Sequence, residues 1–150
     1  MSETKNVIVL KALQDHLLSL KREDGNPIFK EVKILPWAFR EPEEILNYGT
    51  NSNLFPAAYI IPGEEISENA GATVNFHITL LFLTPSFPEE EEALGKFALF
   101  QEVLETLKAE SNGKLPELAG GHLFLRSSSP EEFPGNFVGI MASLEVYYGN

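Results

Sequence analysis

The stretch that decides the fold is Thr73-Val74-Asn75-Phe76-His77-Ile78-Thr79-Leu80-Leu81-Phe82-Leu83. Val74, Phe76, Ile78, Leu80 and Phe82 recur at every second position, the period of a pleated strand. Thr73, Asn75, His77 and Thr79 fill the alternate positions, which turn apolar at Leu81 and Leu83. The pattern predicts a long strand with one face buried throughout and the other divided into a polar and an apolar half.

Working outward, Ala57 to Ile61 is a short, fully apolar run between Pro56 and Pro62. It predicts a strand paired with the first through residues 63–71, an acidic hairpin tip bounded by glycine. Residues 28–35 predict another strand, with Ile28, Val32 and Ile34 on one face and Pro36 at its end. Residues 36–56 are a long irregular connection carrying Trp37, Phe39, Tyr48 and Phe55.

Two helices flank these strands. Over residues 6–22, Leu10, Leu13, Leu17 and Leu20 form one stripe, and Lys21 and Arg22 suit the negative end of the helix dipole. Over residues 87–110, Phe97, Phe100, Leu104 and Leu107 repeat at helical spacing with Leu94 beside them. Ser86 with Glu89 predicts a capping box, Pro88 fits the first turn, and Glu89 to Glu92 suit the positive end. Asn112-Gly113 closes the helix. A short strand is expected at 122–126, a loop at 127–136, and a long strand at 137–148 with Val138, Ile140, Ala142, Leu144 and Val146 on one face.

This order predicts a single α+β domain over residues 1–150. Two helices pack on one face of a mostly antiparallel sheet of about five strands. The expected core includes Leu17, Val74, Phe76, Ile78, Leu80, Phe97, Leu104, Ile140 and Leu144.

Composition removes whole classes of chemistry. With no cysteine in 150 residues, disulfides, thiolate catalysis, iron–sulfur clusters and cysteine zinc sites are excluded. A hydrophobic share of 43% with 22% charged residues is that of a globular chain. No apolar run approaches the roughly 20 residues of a membrane span, and residues 1–5 lead into a charged amphipathic segment. A soluble protein, not exported through a signal peptide, is expected.

Charge is uneven. Residues 1–40 hold seven basic and five acidic residues; residues 41–150 hold four and seventeen. No Lys or Arg lies between Arg40 and Lys96. Nucleic-acid binding needs clustered cations to displace phosphate counterions, so this chain is expected to repel DNA over most of its surface.

No nucleotide-binding, nucleophile-elbow or zinc-protease motif occurs. His16, His77 and His122 are scattered over a helix and two strands with no ligand spacing. Glu89 to Glu92 point about 100° apart on a helix and cannot converge on one ion. Glu64, Glu65 and Glu68 lack the spacing of a calcium loop, and Gly120-Gly121 has no helix behind it to hold an anion. No catalytic residue, cofactor or metal is expected.

The aromatic residues point to contacts instead. Trp37, Phe39 and Tyr48 sit in the long connection, either as an exposed contact patch or folded back as a lid over the core. On the last strand, Phe137, Met141 and Tyr147 share the face away from the helices, and a semi-apolar second face often packs on another subunit. Glu64 and Glu65, at the hairpin tip, are placed to reach a neighbour. These eight residues are the candidate interface.

The layout resembles the phage tail terminator (tail-completion) proteins, including small Mu-like prophage proteins grouped with them. The resemblance rests on the amphipathic helix from Val7 to Leu20 and the early strand. It extends through Phe55-Pro56-Ala57-Ala58-Tyr59-Ile60-Ile61-Pro62-Gly63, the alternating strand ending Leu80-Leu81-Phe82-Leu83, the second helix, and the ending Leu144-Glu145-Val146-Tyr147-Tyr148. It covers nearly the whole chain as an order of elements, without an invariant fingerprint. It implies a non-enzymatic subunit of a closed ring, typically a hexamer. That ring caps the tail tube, ends its polymerisation and meets the head connector. The partners implied are the tube protein and the connector, with no membrane and no sequence-specific nucleic-acid binding. The place implied is the virion tail or neck, and the host cytoplasm during assembly. Two alternatives stay open: a head–tail joining or other neck component, and a cytoplasmic α+β ligand-binding or accessory domain.

Overall fold

The computed structural model describes residues 4–36, 55–86, 89–108, 121–133 and 136–149. Helix α1 spans Lys5–Ser19, followed by strands β1 (Glu31–Ile34), β2 (Ala57–Glu68) and β3 (Thr73–Pro85). Helix α2 spans Glu90–Glu105, and β4 (His122–Phe133) and β5 (Phe137–Gly149) follow it among the described residues. The five strands form one sheet in the order β1-β2-β3-β5-β4. Only β1 and β2 run parallel; the other neighbours are antiparallel. This is the expected α+β architecture.

Both helices lie on one face and share one core. Leu13 and Leu17 of α1 and Phe100, Val103 and Leu104 of α2 meet Phe76, Ile78, Leu80 and Phe82 of β3 and Ile140 and Leu144 of β5. Register follows the alternation: Phe76 and Ile78 are buried under the helices. Each such burial contributes roughly 1.5–3 kcal/mol. Phe29, just ahead of β1, stacks on Phe100 at 5.9 Å and meets Phe82 at a tilt at 4.9 Å, while Phe82 and Phe100 stand 5.6 Å apart. The expected core holds with one correction: Phe97 is 42% exposed.

The other face is divided as the sequence of β3 predicts. At its apolar end Leu35, Phe55, Ala57, Tyr59, Leu81 and Leu83 form a second buried cluster. Burial and the nearby Glu31 carboxylate push the Tyr59 phenol up to about 12.

Several boundaries differ from the sequence expectation, each for a local reason. Helix α1 stops at Ser19, because Leu20 turns extended and the chain folds back. Arg22 donates its backbone N–H to the Asn26 carbonyl at 2.8 Å, and Gly25 takes a positive φ of 86° in that turn. Lys21 and Arg22 therefore lie beyond the last turn. Pairing of β2 with β3 runs on to Glu68 and Thr73, with an irregularity between Pro62 and Glu65, so the hairpin tip narrows to residues 69–72. The N-cap of α2 is Glu89, with no side-chain capping bond, so the capping box does not form. Strand β4 continues through the expected loop to Phe133, because β5 offers it a full set of partners. Pro130 is tolerated because β4 is an edge strand.

Candidate functional site

The most distinctive surface is a groove of about 570 Å³ between α2 and the β4–β5 hairpin. It arises from a mismatch between helix and sheet. At 100° per residue, Ala93 and Phe97 fall on the same side of α2 as the buried Phe100 and Leu104. Yet Ala93 and Phe97 are exposed, so the first half of the helix stands clear of the core. Its walls are Ala93, Leu94 and Phe97 on the helix and Val138, Gly139 and Ile140 on β5. Pro130 lies at the β4 side, and Glu90 and Glu132 set the charge of the rim, the Glu131 side chain lying on the far face with Ser129. Among the described residues Lys96 is the one basic lining residue; burial, with Arg22 and Lys30 near it, lowers its pKa.

A second feature lies on the opposite face of the sheet, at its polar end. Cross-strand pairing puts Phe124, Glu145 and His77 in one row and His122, Tyr147 and Asn75 in the next. Arg126 sits at the irregularity between Leu125 and Ser127 and donates its Nε to the Glu145 carboxylate. That hydrogen bond holds the Glu145 carboxyl below its ordinary range. The guanidinium also lies 4.9 Å over the Phe124 ring, and Phe124 meets Tyr147 edge-on at 5.8 Å. Asn75 donates to the Tyr147 hydroxyl at 3.1 Å. His77 Nε2 lies 3.4 Å from Glu145 Oε1 without hydrogen-bond geometry, and the buried Asn75 Oδ1 has no hydrogen-bond partner.

The candidate interface residues are dispersed. Phe137 and Met141 are half-buried against the second apolar cluster, with the Phe137 ring 4.7 Å from Phe55. Tyr147 belongs to the polar cluster. Glu64 is exposed, and Glu65 accepts a hydrogen bond from Tyr148 at 3.0 Å. That contact and burial raise the Tyr148 pKa, burial being the larger cause. Trp37, Phe39 and Tyr48 lie outside the described residues, as do Pro88, Asn112, Gly113 and Gly120.

The sheet separates His16 from the other two histidines. His16 is buried in the helix layer, 2.8 Å from the Thr106 hydroxyl, while His77 and His122 lie on the far face. Among the described residues no three His, Asp or Glu side chains gather as metal ligands, and no helix is long and apolar enough to cross a membrane.

Sequence reasoning missed the groove. The available signal was the width of the apolar arc on α2, which exceeds one stripe once Leu94 and Phe97 are added to Phe100, Val103 and Leu104. Comparison of the chain with protein-family models and with curated proteins found no match.

Proposed function

We propose that this chain is a non-enzymatic structural subunit that self-associates into a ring and caps a phage-type tail tube. The ring ends tube polymerisation and presents a surface to the head connector, as the resemblance to tail terminators implies. The observation that carries this reading is the groove. Phe97 on the core-facing side of the helix, left exposed beside Leu94 over an apolar strand, marks a surface built to be covered. The α+β order of elements supports the same reading, since it is the order on which the resemblance rests.

The test is tube assembly. Purified chain added to polymerising tube protein should stop elongation at substoichiometric amounts, because only ends are blocked. Elongation that continues unchanged at excess chain would overturn the reading.

The groove also supports the accessory-domain alternative, because its volume lies in the range of small-molecule sites. A chain that stays monomeric, leaves tube growth unaffected and binds an apolar dye that Phe97→Glu abolishes would favour that alternative.

A further inference from the structure

We infer that the groove receives the outer face of helix α1 from a second copy of this chain, packed head to tail. This rests on the ring-subunit reading and names the two surfaces that meet.

Exposed apolar side chains select the surfaces. Among the described residues the exposed large hydrophobics are Val7, Leu18, Ile66, Leu94 and Phe97. Leu94 and Phe97 line the groove; Val7 and Leu18 lie on α1. At 100° per residue Val7, Lys11 and Leu18 fall within one narrow stripe of α1. That stripe points away from the side on which Val9 and His16 are buried. It is therefore a second, unlike apolar surface with a cation in its middle.

Charge selects the pairing. From α1 through β1 the chain holds six basic and four acidic residues, whereas α2 and β4 together hold two basic and seven acidic. An apolar floor rimmed by Glu90 and Glu132 fits an occupant that is apolar and cationic. Within this chain, the Val7-Lys11-Leu18 stripe has that chemistry.

Placement selects the geometry. Helix α1 lies over β1 and β2, while α2 and the groove lie toward β5 and β4, at the opposite edge of the same face of the sheet. Two unlike surfaces at opposite edges of a subunit suit a heterologous contact, which closes into a ring when its rotation divides the circle. A two-fold dimer would have to seat both α1 stripes in both grooves at once, and the separation of the two surfaces across the sheet opposes that.

The experiment exploits the absence of native cysteine. Leu18→Cys and Leu94→Cys change exposed residues, so both variants are expected to keep the wild-type circular dichroism. Treated with a short bis-maleimide, an equal mixture of the two should give a covalent dimer, and neither variant alone should. The double variant should give a ladder of multimers. Leu18→Glu and Phe97→Glu should each abolish self-association, whereas their mixture should form dimers and stop there, since one good contact remains. No cross-link in the mixture, or cross-linking as efficient in Leu18→Cys alone, would overturn the contact. Tube capping without the cross-link leaves the ring reading standing and this contact wrong. A ladder without capping leaves the contact standing and the terminator reading wrong.

Discussion

Gly139 of β5 packs so closely on Phe82 of β3 that a Cβ on it would lie 1.9 Å from the Phe82 carbonyl oxygen. Gly139 also lines the groove, so the approach fixes the β3–β5 spacing beneath α2. Gly139→Ala forces backbone to move rather than a side chain. We expect a loss of about 3 kcal/mol, the upper end of overpacking costs, read as a lower urea midpoint. A midpoint within error of wild type would contradict the close approach.

The two phenylalanines of α2 should separate sharply. Phe100 is buried against Phe29 and Phe82, so Phe100→Ala should cost about 3–5 kcal/mol. Phe97 is 42% exposed, and Phe97→Ala should stay within about 0.5–1 kcal/mol in the isolated subunit. Chemical denaturation of the two variants under conditions that keep the chain monomeric checks the contrast.

The turn between β2 and β3 holds Ala70 at a positive φ of 57°, beside Asn69 at 54°. This left-handed conformation costs an alanine roughly 1 kcal/mol that glycine does not incur. Ala70→Gly should therefore raise stability, by less than about 1 kcal/mol because glycine also loses more entropy on folding. A thermal melt comparing the two proteins decides the sign.

Glu145 should contribute to the acid limb of stability. Arg126 holds its carboxyl below the ordinary value of 4.5 in the folded chain, while the unfolded chain titrates near that value. The unfolded state then binds the proton first. The contribution is present in full above the unfolded value and is lost as pH falls through the folded one. Glu145→Gln should lower stability at neutral pH and narrow its gap to wild type as the solution is acidified. Urea midpoints for both proteins across that acid range provide the check; a gap independent of pH would contradict the pairing.

Much of this fold was legible because β3 states it. Its alternation put Phe76 and Ile78 under the helices and marked Leu81 and Leu83 as an apolar end of the other face, where Tyr59 and Phe55 join them in a buried cluster. What stayed hidden depends on lengths and pairings that no single segment carries. Phe97 has the spacing of a core residue, yet the helix reaches past its packed floor there. Ser127-Ser128-Ser129-Pro130 has no strand pattern, and β5 imposes one on it. Arg126 and Glu145 meet across the β4–β5 pairing, a partnership that neither segment states alone. The candidate interface was read from aromatic residues and the acidic hairpin, whereas the groove depends on where α2 begins relative to the sheet.

The proposed ring is tested most directly by locating fluorescently labelled chain on assembled tail tubes and counting copies at each position. The account predicts one closed set of subunits at a single end of each tube, none along the shaft, and its loss with Phe97→Glu. Label spread along the shaft, or tubes that carry none at either end, would contradict it.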